Sequence, residues 1–164
     1  MAKKTLDITL HMSELIYDVQ NKTYLTGRSR QNGTNHEEVA NMQANDDDEN
    51  ANQIVRSIGN AFANLKTKLS EYIDEVGTTA NNVQIDATTN LSVSLKMPSN
   101  YNQGTRVTVS TAMHQYIVNS AIGDWFTITD KNDASDYVTL AAANLDELRE
   151  AINKRVRPVR TEVE

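Results

Sequence analysis

Cysteine is absent from all 164 residues, which excludes disulfides and thiolate metal sites. Proline occurs only twice, tryptophan once and phenylalanine twice, so large aromatic anchors are few. Paired carboxylates that work on sugars usually stand beside aromatic platforms, and this chain has little material for one. No window approaches the roughly 20 apolar residues of a membrane span. Met1-Ala2-Lys3-Lys4 leads directly into Thr5-Leu6-Asp7, so no apolar leader core is expected at this end. The Asn-x-Thr triplets at Asn21 and Asn32 are accordingly read as chance matches.

Motifs for chemistry are also missing. The six glycines are scattered and form no phosphate cradle. No Gly-x-Ser-x-Gly elbow occurs. His11, His36 and His114 fall on three separate segments, with no i, i+4 pair and no His-Glu-x-x-His. His36-Glu37-Glu38 is a local group of metal-type donors, but it lies in a segment expected to be a loop. Asp46-Asp47-Asp48-Glu49 lacks the alternate acids, central glycine and terminal glutamate of a calcium loop. His114 reads as a residue on the flank of a helix. The expectation is a protein without enzymatic activity, cofactor or metal.

Charge is present but unevenly placed. The net charge is −6, which argues against nucleic-acid binding over the whole surface. From Gln31 to Val55 there is no lysine or arginine, while Glu37, Glu38, Asp46, Asp47, Asp48 and Glu49 are acidic. The C-terminus is the opposite: Lys154, Arg155, Arg157 and Arg160 bring four cations within seven positions. A solvated acidic loop and a solvated tail would look like this. So would two patches that attract each other between copies.

The hydropathy pattern predicts an α+β fold in one domain, residues 1–164. Leu6, Ile8 and Leu10 alternate with polar residues as in a strand. Ser13 is the expected cap of a helix carrying Leu15, Ile16, Val19 and Leu25, ended by Gly27 or by Arg30. Residues 31–48 read as a mobile acidic loop, with at most a helical turn over His36 to Ala44. A long central helix follows, with Ile54, Ile58, Ala61, Phe62, Leu65, Leu69, Tyr72, Ile73 and Val76 on its stripe and Gly77 past its end. Val83, Ile85 and Leu91 to Met97 predict small antiparallel hairpins, closed by Pro98. A further helix is expected over Thr105 to Ile122, stopped by Gly123. Trp125 to Thr129 and Tyr137 to Leu140 read as extended, although Ala134 to Ala143 also fits the start of the last helix. Asn144 and Glu147 have capping-box spacing for that helix, and Pro158 ends it near Arg157. The total is three to four helices.

The last third is laid out for docking. Trp125 and Phe126 are either core residues or anchors for a partner, since aromatic anchors dominate interfaces. Residues 153–164 form a basic arm, with Glu162 and Glu164 reducing its charge. Phosphate contacts by such an arm would be blind to sequence, and a protein partner suits its weak net charge better.

The pattern Trp125-Phe126-x-Ile128, Tyr137, Ala141-Ala142-Ala143-x-Leu145, then Leu148-Arg149-x-Ala151-Ile152-x-Lys154-Arg155-x-Arg157-Pro158 resembles small proteins of tailed bacteriophages and prophages of Bacteroides-type hosts. Those are thought to act as head–tail connector, or neck, subunits. The resemblance covers about the last 40 residues. It implies a structural virion protein, assembled in the host bacterial cytoplasm, that forms a ring of identical subunits between portal and tail or neck proteins. DNA would pass through the lumen without sequence-specific binding, and no membrane would be involved. In that setting Trp125 and Phe126 anchor the C-terminal lobe or a neighbour. Lys154, Arg155, Arg157 and Arg160 dock the arm, and Asp46, Asp47, Asp48 and Glu49 face a neighbour. Other readings are a tail-completion or capsid-decorating protein, or a small nucleic-acid-associated protein that uses the arm.

Overall fold

A computed structural model describes residues 3–73, 75, 77 and 79–161. The fold is α+β, running β1 (Lys4–Leu10), α1 (Met12–Ser29), α2 (His36–Met42), α3 (Asp48–Lys68), β2 (Leu91–Met97), α4 (Arg106–Thr129) and α5 (Lys131–Asn153), with a 3₁₀ turn at Gln103–Thr105 before α4. Among the described residues there are five α-helices and one two-stranded sheet, rather than three to four helices and several hairpins.

Both strands were legible from their alternation, but their partners were not. β2 does not form a hairpin with Val83 and Ile85. It pairs antiparallel with β1, from Lys4 opposite Met97 to Leu10 opposite Leu91. Inward Ile8, Leu10, Leu91, Val93, Leu95 and Met97 are buried, and the other face carries Thr5, Asp7, Thr9, Ser92, Ser94 and Lys96. Residues 81–86 have no regular structure, and Ile85 lies against α3 close to Gly59.

The helices depart from the sequence reading at their ends. Asn90 Oδ1, not Ser13, accepts the first free amide of α1, from Met12, at 3.2 Å. Gly27 lies inside α1 and is buried. A Cβ there would stand 3.1 Å from the Val39 carbonyl, so the glycine permits the close approach of α2. The helix expected to reach Val76 stops at Lys68, so exposed Gly77 is not its terminal glycine; Val76 lies outside the described residues. Tyr72 and Ile73 have left the helix: Lys96 donates its amide to the Tyr72 carbonyl at 2.7 Å, and Ile73 bridges to Leu95.

The largest correction is in the C-terminal third. Trp125 to Thr129 is not extended but the last turns of α4, and Gly123 does not end that helix. The β-branched and aromatic run favours strand locally. Packing overrides that preference, and the threonines adapt: Thr127 and Thr129 donate their hydroxyls to the carbonyls of Gly123 and Trp125, four residues back, at 2.8 and 3.1 Å. Gly123 is interior because a Cβ would meet Val138 Cγ2 at 3.2 Å, where α5 crosses closely. One residue, Asp130, separates the two helices, and its carboxylate accepts from the Asn132 amide at 3.0 Å to start α5. The capping box at Asn144 and Glu147 is therefore mid-helix. Tyr137 to Leu140 belongs to α5, as the alternative reading had it.

α4 is the centre of the molecule, a place the sequence reading assigned to the helix that is now α3. It packs against α1, α3, α5 and β1. Its buried residues run almost without a break from Tyr116 to Phe126, as on a helix enclosed on several sides.

Candidate interaction surfaces

α5 ends at Asn153, and the chain then crosses the loop after β2. Lys154 accepts from the Asn102 amide at 3.1 Å, and the Val156 amide donates to the Asn100 carbonyl at 2.8 Å. Arg155 bridges to Tyr101, and its guanidinium donates to the Ile152 carbonyl at 3.0 Å. Lys154 pairs with Glu150 one turn back at 3.0 Å. The first two cations of the basic arm thus hold the end of the fold together. Beyond Val156 the arm is different: among the described residues no hydrogen bond or ion pair holds 157–161. Arg157 and Arg160 are exposed. Val156 is 48% and Val159 89% exposed, so apolar side chains interleave with the two free cations.

Trp125 and Phe126 do not face outward. Trp125 is buried and donates Nε1 to the Met42 carbonyl at 2.8 Å. Phe126 is fully buried, with its ring centroid 5.4 Å from that of Tyr137. They anchor their own lobe, and no contact surface for a neighbour remains on Phe126. The acidic segment is less irregular than expected. α2 occupies 36–42, Met42 and Ala44 are buried, and the Ala44 amide donates to the buried Thr23 hydroxyl at 3.1 Å. Asp47 stands at the N-cap of α3, with Asp48 and Glu49 in its first turn. Carboxylates there stabilise a helix through its dipole by about 0.3–1 kcal/mol each. Asp46 accepts from Gln20 Nε2 at 2.6 Å. All four acids remain exposed.

Two polar links escaped the sequence reading because each joins residues about a hundred positions apart. Arg30 binds the buried carboxylate of Asp133 through both Nε and Nη2. That carboxylate also holds the Arg30 guanidinium above its ordinary pKa. His114 Nε2 lies 2.6 Å from Asp18 Oδ2 and ties α4 to α1. His114 also borders a shallow depression with His11, Glu14, Ser110 and Thr111. Among the described residues no hydroxyl is hydrogen-bonded to its imidazole. No three histidine, aspartate or glutamate side chains among the described residues converge as a metal site.

A groove between α3 and α5 is floored by Tyr116 and Ser120 of α4, with Asp124 of the same helix at its solvent-exposed rim. Desolvation raises the Asp124 pKa, because the groove disfavours its charge. The folded state therefore holds this proton more tightly than the unfolded chain. The resulting cost is absent below the ordinary carboxylate range and develops as pH rises through the folded pKa. Asp124→Asn is expected to raise the melting temperature slightly at pH 7 and to make no difference in acid below that range. Equal effects at both pH values would show that partial desolvation of the charge is not the cause.

No protein family, curated protein or solved structure matches the chain. No helix among the described residues is long and apolar enough to cross a membrane.

Proposed function

We propose that this protein is a structural subunit that assembles with copies of itself through its C-terminal arm, in the manner of a bacteriophage head–tail connector or neck protein. One observation carries the assembly reading: residues 157–161 leave a well-tied core with no hydrogen-bond or ion-pair partner among the described residues and with Val159 almost wholly exposed beside Arg157 and Arg160. An exposed valine between cations gains little in solution and gains contact area when a neighbour covers it. An arm leaving one surface to dock on a different surface of the next copy makes a heterologous contact, which closes into a ring when the rotation permits. The exposed acids Asp46, Asp47, Asp48 and Glu49 present a second charged patch to a neighbour. The connector assignment itself comes from the resemblance of the C-terminal third. It adds the virion as location, portal and tail proteins as partners, and a lumen for DNA.

Truncation tests this, and the structure dictates where to cut. Ending the chain at Ile152 would remove the bonds that Lys154 and Val156 make to Asn102 and Asn100, so folding and assembly would be confounded. Ending it at Val156 keeps them. The protein truncated after Val156 should retain its melting temperature within a few degrees and lose self-association by light scattering and electron microscopy. Assembly equal to that of the full chain would defeat the arm's role. Retention of the full chain on DNA at moderate salt, lost on truncation, would favour the nucleic-acid reading instead.

A further inference from the structure

The two-stranded sheet has one edge that takes no backbone hydrogen bond among the described residues. Lys96 spends its amide on Tyr72, outside the β1–β2 ladder, and Ile73 bridges to Leu95. This sets the phase of the ladder. Lys4, Leu6, Ile8 and Leu10 turn their backbone groups toward β2, so Thr5, Asp7 and Thr9 turn theirs to the far side of β1. Among the described residues no backbone group pairs with that far side. Thr5, Asp7 and Thr9 are exposed. An open seven-residue edge of this kind is a template for a further strand.

We infer that the open edge of β1 receives residues 156–161 of a second copy as an added antiparallel strand. The inference rests on the assembly reading above and names the receptor for the arm. Three features select this occupant. The arm is of matching length and beyond Val156 has no hydrogen-bond or ion-pair partner among the described residues. Its proline restricts the phase: Pro158 lacks an N–H and must face away from β1, which leaves Arg157 and Val159 to face it. Charge then selects the register. Asp7 is the one charged side chain on the outward face of β1, and Arg157 opposite Asp7 pairs unlike charges. That register sets Val159 opposite Thr5, Val156 opposite Ile8, and Pro158 opposite the half-exposed Leu6. Pairing of β1 with β1 of a second copy about Asp7 would instead place two carboxylates face to face, which is unfavourable.

Absence of native cysteine makes the test clean. Directly opposed residues in a hydrogen-bonded antiparallel pair have Cα atoms about 5.5 Å apart, within disulfide reach. Oxidation of the full chain carrying Thr5→Cys and Val159→Cys should give disulfide-linked dimers and larger multiples on a non-reducing gel. Mixing the two single variants should give dimers only. Asp7→Arg or Arg157→Asp should each reduce the cross-linked yield several-fold, and the two together should restore it. Circular dichroism of every variant should match the parent, since all these side chains are exposed. A link closing within one chain, dimers from Thr5→Cys alone, or no link at all would overturn the proposal. If truncation after Val156 abolishes assembly while Thr5 and Val159 fail to link, the arm docks elsewhere and only the edge proposal falls. If the truncated chain assembles normally, both readings fall.

Discussion

Phe126→Ala is expected to lower the unfolding free energy by about 3–5 kcal/mol, the range for a phenylalanine removed from a closed core. Phe126 is fully buried in the last turns of α4, where α5 folds back after the single residue Asp130. Its ring meets that of Tyr137, whose hydroxyl is 2.6 Å from the Thr26 hydroxyl on α1. Truncation would therefore open a cavity where three helices meet, with no nearby flexible end to fill it. Urea unfolding followed by circular dichroism would measure the loss. A loss below about 1 kcal/mol would mean that the α4–α5 turn is not packed as described, since surface substitutions stay within about 0.5 kcal/mol. An alteration of assembly without loss of stability would return Phe126 to the role of partner anchor.

Ile58→Ala should cost about 2–5 kcal/mol by the same mechanism. Ile58 is fully buried on the face of α3 that packs against α4. It lies in the middle of the helix, so fraying cannot relieve the cavity. Tyr72 on the same expected stripe should behave differently. It is only half-buried and lies past the end of the helix, with its hydroxyl donating to Asn153 Oδ1 at 3.0 Å. Tyr72→Phe should cost far less than Ile58→Ala. Equal losses at the two positions would restore the longer helix that the periodicity suggested.

Amphipathic pattern was a good guide where an element has one wet face. β1, β2, the first half of α1 and most of α3 carry their buried residues at the expected spacing, because polar side chains mark the other side, whereas Leu25, expected on the apolar stripe of α1, is exposed and Thr23 and Gly27 continue the buried face. It failed for α4. There the β-branched and aromatic run Trp125-Phe126-Thr127-Ile128-Thr129 favours strand locally, and only the packing of Trp125 and Phe126 keeps it helical. Of the two ends open to α1, Arg30 is the one that caps it, and Gly27 and Gly123 are interior: a glycine needed for a close helix crossing has the same letter as one that ends a helix. Tertiary distances separate the two cases.

The candidate surfaces divide in the same way. That four cations and a proline fall within residues 154–160, and that acids cluster before the long helix, were determined by the order of residues alone. Only the tertiary structure decided that Trp125 and Phe126 turn inward, that Lys154 and Arg155 tie down the fold, and that among the described residues Arg157, Arg160 and one edge of β1 take no partner. The reason is physical: charge and composition are properties of single residues, whereas burial, pairing and exposure belong to contacts between segments far apart in the chain, which no local pattern records.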